Sequence, residues 1–108
     1  MTISTLDPVL EKFRAAITEL YGSRIERIVL YGSRARGDHR PDSDYDIAVF
    51  LKDLPANRWD DIRRIADIEL AILDDTDAVV TALPLPAGSW RDSASILMHE
   101  IRNDGLDL

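Results

Sequence analysis

Apolar residues recur at helical spacing after Asp7-Pro8: Val9, Leu10, Phe13, Ala16, Ile17, Leu20 and Tyr21 share one face, and Gly22 stops the run. A carboxylate followed by proline at the first helical position predicts a helix start, because proline lacks an N–H that the first turn leaves unbonded anyway. The period then changes. Ile25 to Tyr31 is rich in β-branched residues and ends at Gly32, which predicts a strand feeding a Gly-Ser turn. Ser33 to Ser43 is a polar, turn-rich loop with room for one helical turn after Ser33. Asp44 to Leu51 alternates, with Tyr45, Ile47, Val49 and Leu51 on one face and Asp44, Asp46, Ala48 and Phe50 on the other.

Pro55 breaks the chain, and Asn57 is placed to cap a long helix through about Leu73. Trp59, Ile62, Ala66, Leu70 and Leu73 form one stripe, which Ile65, Ile68 and Ile72 widen, so the pattern predicts a well-buried helix. Asp74 to Asp77 ends it and leads to a third strand, Ala78 to Leu83, stopped by Pro84 and Pro86. Ser89 is placed to cap a last helix with Trp90, Ala94, Leu97, Met98 and Ile101 on its stripe and Gly105 as its C-cap. Trp90 hints at an exposed apolar surface for a protein partner. The order helix, strand, strand, helix, strand, helix predicts an α/β (α+β) fold, a small mixed β-sheet of three or slightly more strands packed by helices. One domain spans residues 1–108.

Composition narrows the function. The chain has 31% charged and 45% hydrophobic residues, ordinary for a folded domain, and a net charge of -7 that disfavours nucleic acid as a partner. No cysteine is present, which removes disulfides, thiolate nucleophiles and thiolate metal sites. Met1 to Pro8 lacks a basic segment followed by an apolar core, and no apolar run approaches the roughly 20 residues a membrane span needs. A cytoplasmic protein without a membrane partner is expected.

The chemistry concentrates between Tyr31 and Phe50. Asp44 and Asp46, two apart on a strand, point the same way as a pair of hard oxygen donors. A strand ending in Gly32-Ser33 and a strand opening with these acids bring the carboxylates beside a glycine that lets phosphate approach the backbone. Asp42, Asp44 and Asp46 also match the first, third and fifth places of a calcium loop, but Ile47 holds the place that demands glycine and Asp53 the place that demands glutamate. Arg34, Arg36 and Arg40 cluster in this acidic chain, suited either to phosphate oxygens or to nearby carboxylates. His39 lies in the same loop, and Tyr31 and Tyr45 are packing residues or, near the site, acceptors of self-modification.

Gly32-Ser33, ten residues, then Asp44-x-Asp46 within an apolar strand resembles the minimal nucleotidyltransferases of the DNA polymerase beta superfamily. The flanking helices and the terminal Met98-to-Leu106 segment are similar too, and chains of this size resemble the antitoxin partner of HEPN-domain toxins. The resemblance implies transfer of AMP from ATP to a hydroxyl, there a tyrosine of the toxin, with two Mg2+ ions. It makes Asp44 and Asp46 the ligands of both metals and puts Gly32 and Ser33 on the β- and γ-phosphates; one of Arg34, Arg36 and Arg40, by guanidinium chemistry, is then placed to neutralise the leaving pyrophosphate. It also implies a third carboxylate at the start of the adjacent strand, Asp77 with Asp75 as the fallback, as metal ligand and acceptor of the hydroxyl proton. Two alternatives remain: a small-molecule transferase of the aminoglycoside type, and a degenerate antitoxin acting by binding alone.

Overall fold

In a computed structural model the described residues are 7–108, so the reading of Met1 to Leu6 as free of a targeting segment lies outside them. The elements are α1 (Pro8–Tyr21), β1 (Ile25–Tyr31), the single turn α2 (Ser33–Arg36), β2 (Tyr45–Leu51), α3 (Trp59–Thr76), β3 (Val80–Pro86), α4 (Ile96–Asp104) and β4 (Leu106–Asp107). The sheet order is β3-β2-β1-β4. β1 pairs antiparallel with β2 and β4, and β2 pairs parallel with β3. This is the expected mixed sheet, with a fourth strand of two residues beyond the three predicted.

α1 begins as its sequence dictates. The Asp7 carboxylate accepts from the N–H groups of Val9 at 2.9 Å and Leu10 at 3.3 Å. Its stripe buries Phe13 and Ile17 against Leu30, Ile47, Val49 and Leu51 on one face of the sheet, where Ile65 and Ile72 of α3 join them. The opposite face is covered by α4, whose Met98 and Ile101 meet Val29, Ala48 and Phe50. β2 is therefore buried on both sides and fixes the position of whatever its two ends carry.

Five expectations need correction. β2 begins at Tyr45, leaving Asp44 just before it, and β3 begins at Val80, because Asp77 first turns the chain through a left-handed conformation with φ 61°. α3 runs to Thr76 and is not well buried: Asp61, Ile65 and Ile72 face inward, while Trp59 (62% exposed), Ile62, Leu70 (62%) and Leu73 face solvent. Asp61 is tolerated inside because the Tyr21 hydroxyl donates to it at 2.7 Å. The last helix is capped by Ser95, whose hydroxyl accepts from Met98 N–H at 3.2 Å, whereas Ser89 opens a short 3₁₀ turn. Trp90 is half-buried against the α4 core and its indole donates to Glu26 at 2.9 Å, so it is no exposed patch.

Candidate active site

The β1–β2 register sets Tyr31 opposite Asp46. The chain leaves β1 at Gly32 with φ 75° and ψ -157°, a conformation almost confined to glycine. A Cβ at Gly32 would lie 2.6 Å from Oδ2 of Asp46, so the absent side chain is the space the carboxylate occupies. Gly32 then starts α2: its carbonyl accepts from Ala35 and Arg36 N–H, both at 3.1 Å, and Gly37 closes the turn onto Ser33. The first amides of such a turn have no partner within it.

Asp46 is half-buried, and its carboxyl is held above the usual carboxylate range, chiefly by burial, then by the charges of Asp44 and Glu100, with Arg36 opposing. Burial pushes the Tyr31 hydroxyl up to about 12, with Asp46 and Glu100 adding to the effect. Glu100 is thus a site residue that sequence reasoning passed over. It comes from α4, and no local motif marks it; only the Met98–Ile101 apolar step that docks α4 beside β1 places it there.

The arginines are engaged within the protein. Arg34 donates to the carbonyls of Ser43 at 2.9 Å and Pro41 at 3.0 Å, with its guanidinium 4.0 Å from the centre of the Tyr45 ring, so it braces the loop between α2 and β2. Arg36 meets Asp38 at 3.2 Å and Glu100 and Asp104 at 3.6 Å. Arg40 and His39 are exposed, and Arg40 N–H donates to Ser43 Oγ at 2.8 Å.

Asp77 and Asp75 are not brought to Asp46. Asp77 caps α3 and lines a cavity of ≈ 640 Å³ together with Arg34, Tyr45 and Val9, residues of the α1 side of the sheet. Asp75 pairs with Lys12 of α1. Among the described residues no three His, Asp or Glu side chains converge to hold a metal ion. The candidate donors are therefore Asp46, packed against the buried Gly32, and the exposed Asp44 two residues before it. That set suits Mg2+, which is held by one or two protein carboxylates when substrate phosphates supply further oxygens. Among the described residues no helix is long and apolar enough to cross a membrane.

The chain is 34% identical over 68 residues to a Methanocaldococcus jannaschii protein named "Putative protein adenylyltransferase MJ1305", covering 63% of this chain and 46% of that protein. It is 32% identical over 47 residues to "Putative protein adenylyltransferase MJ0141" of the same organism, covering 44% and 48%. The chain thus spans about half the length of these relatives. Its fold is similar to a crystal structure named "putative nucleotidyltransferase" from Sulfolobus solfataricus (TM-score 0.64, 20% identity, 92% of this chain and 75% of that one). It is also similar to a chain of a toxin-antitoxin crystal structure with AMP-PNP (TM-score 0.63, 20% identity, 90% and 69%). The family model described as "Nucleotidyltransferase domain" matches residues 10–102, and the chain belongs to that family.

Proposed function

We propose that this chain transfers AMP from ATP to a hydroxyl of a partner protein and acts as the antitoxin of a toxin of the HEPN type. The observation that carries the catalytic part is the fit of the Asp46 carboxylate into the space left by the Gly32 side chain. Asp44 and Asp46 would hold Mg2+, two ions in the reading taken from the family. When bound, the metal supplies charge neutralisation for the triphosphate and acidity for the acceptor hydroxyl.

The residues divide the remaining work. Gly32 and Ser33 would present backbone N–H groups to phosphate oxygens beside the Asp46 carboxylate, which fills the space at Gly32. Arg34 keeps the α2–β2 loop in shape, and Arg36 offers its charge to the leaving pyrophosphate by exchanging carboxylates for phosphate. The acceptor oxygen bonds to the α-phosphorus as the bond to the β-phosphate oxygen breaks, and the hydroxyl proton passes to a carboxylate; the family resemblance would give that role to Asp77, which lies apart from Asp46 in this structure. The partner and the base rest on the comparisons. Relatives carry the name protein adenylyltransferase, and one similar structure is a complex of a tri-AMPylated Shewanella oneidensis HEPN toxin with MNT antitoxin.

A second reading, neutralisation by binding alone, draws on the lack of a third acid at Asp44 and Asp46 among the described residues. Labelled ATP, Mg2+ and a HEPN-type toxin, with wild type, Asp44→Ala, Asp46→Asn and Asp77→Asn, separate the readings. Transfer that vanishes in the first two variants is expected, and loss in the third assigns Asp77 its role. Label transfer surviving Asp44→Ala would overturn the catalytic assignment; neutralisation without any transfer would establish binding alone.

A further inference from the structure

The strand that borders Asp46 on the edge side of the sheet carries no acid. β3 reads Val-Thr-Ala-Leu-Pro-Leu-Pro from Val80 to Pro86, and the parallel register sets Thr81 beside Asp46. Residues paired across neighbouring strands point to the same face of a sheet. The pairs on either side follow that rule: Ile47 and Ala82 share the α1 core, whereas Phe50 and Leu85 share the α4 core. Thr81 and Asp46 therefore lie together on the α4 face, and Thr81 is exposed there. On this face β3 has Thr81, Leu83 and Leu85, so the Thr81 hydroxyl is the one side-chain oxygen it can offer.

The place is held from both sides. Asp46 pairs through its backbone with Tyr31 and Thr81, and the next residue, Ala82, donates its N–H to Glu69 of α3 at 2.7 Å. Asp77 has no such place. It stands four residues earlier, in the left-handed cap of α3, and lines the cavity on the α1 side with Val9 and Tyr45.

We propose that Thr81 is the third side chain of this centre, and that its neutral hydroxyl keeps the Asp44–Asp46 pair weak for a bare divalent cation, so that the cation binds with the triphosphate and not ahead of it. This rests on the reading of Asp44 and Asp46 as metal ligands. Threonine adds no charge, and its oxygen is one bond from Cβ where an aspartate oxygen is two. The hydroxyl thus stops short of an ion at Asp46 and leaves that position to water or a substrate oxygen. Mg2+ suits such a set, since it keeps several waters and takes one or two carboxylates together with substrate phosphates. A carboxylate at position 81 would differ in both respects. Neighbouring strands lie about 4.8 Å apart, a span that two carboxylates bridge through one ion at roughly 2.0–2.6 Å. Without the ion, like charges directly opposite each other repel, a cost that threonine avoids beside Asp46.

Binding of Mn2+ to the full chain, followed by loss of the free-ion electron paramagnetic resonance signal, tests the proposal. Without nucleotide, Thr81→Asp is expected to bind Mn2+ at least tenfold more tightly than wild type. The gain should vanish when Asp46→Asn is added and stay within twofold when Asp77→Asn is added, a pattern that a general change of charge or folding does not produce. Urea unfolding gives a second readout that needs no change at Thr81: about 5 mM Mg2+ alone should leave the wild-type midpoint in place, and Mg2+ with AMP-PNP should raise it, in Asp77→Asn as well. A folded Thr81→Asp chain no tighter than wild type, or a gain that survives Asp46→Asn or is lost with Asp77→Asn, overturns the proposal. So does a midpoint raised by Mg2+ alone, unmoved by Mg2+ with AMP-PNP, or no longer raised by the two in Asp77→Asn. Failure of the transfer reading shows separately, as a wild-type chain that moves no label onto a toxin while the Mn2+ affinities keep this order.

Discussion

Replacing Gly32 by alanine tests the site without removing any functional group. Two costs add. The backbone at φ 75°, ψ -157° is strained for any residue with a Cβ, on the order of 1–3 kcal/mol. The new methyl would also stand 2.6 Å from Asp46 Oδ2 and 3.5 Å from its Cβ and Cγ, so the carboxylate has to swing away. The Asp46 backbone cannot follow, being paired with Tyr31 on one side and Thr81 on the other, and an off-rotamer side chain adds roughly 0.5–1.5 kcal/mol. The sum is about 2–4 kcal/mol, a fall of roughly 10–20 °C in the melting temperature of a domain this size. Gly37→Ala is the matched control: its φ is 86° and nothing lies within 4 Å of the added Cβ, so it should lose only about 1 kcal/mol and keep transfer activity. Urea unfolding gives the stabilities and labelled AMP transfer the activity, expected to fall about 100-fold in Gly32→Ala. In the Gly32→Ala, Asp46→Ala pair, removing the carboxylate should return the steric part, a coupling of about 1 kcal/mol. Equal stability and activity in Gly32→Ala and Gly37→Ala, or zero coupling with Asp46, would refute the claim that the glycine makes room for the carboxylate.

Tyr21→Phe should cost about 1–3 kcal/mol by urea unfolding, because it strips the buried Asp61 carboxylate (4% exposed) of the hydroxyl at 2.7 Å. Ser95→Ala should cost about 1 kcal/mol and Ser89→Ala distinctly less, since the first removes a helix cap and the second only an exposed hydroxyl-to-carbonyl bond. Burial holds the Glu69 carboxyl above its usual range, with the Ala82 N–H partly offsetting this. The folded chain therefore takes up this proton more readily than the unfolded one, and the penalty of the ionised form is relieved as pH falls through the raised folded-state value. Glu69→Gln should then be more stable than wild type at pH 7, with the gap in urea midpoint closing toward acid; a gap that widens on acidification would reverse the sign of the argument.

The strand-turn-strand unit was legible because two local signals coincide there. Alternation fixed which side of β2 each residue takes, and the structure puts Tyr45, Ile47, Val49 and Leu51 in one core and Ala48 and Phe50 in the other. The α1 boundaries followed from Asp7-Pro8 and Gly22 for the same reason. α3 was misread because it carries two apolar stripes and both were assigned to the core, whereas only the one that includes Asp61 is buried. What buries that stripe is Tyr21, forty residues away, and no period along the helix records a distant hydroxyl. β4 has two residues and forms only because α4 returns the chain to Val29 and Leu30. Arg34 drew attention as a phosphate ligand, yet its stacking on Tyr45 and its bonds to Pro41 and Ser43 depend on how the loop closes, which composition does not specify.

The charges around the turn explain why the acidic balance of the chain is compatible with a nucleotide substrate. Asp44, Asp46 and Glu100 place negative charge at the mouth of the turn, and behind the larger effect of burial the charges of Asp44 and Glu100 add to raising the Asp46 carboxyl. Under the proposed function a free triphosphate would meet that field as repulsion, and a divalent cation entering with it would cancel what opposes each. Arg36 fits the same scheme. It is shared among Asp38, Glu100 and Asp104 in exposed, solvent-screened contacts, the kind that exchange readily for a phosphate. Glu100 links the two halves of the balance, adding to the charge on Asp46 while holding the guanidinium at the edge of the site, and it does so from a helix whose only sequence signal is the apolar step that docks it.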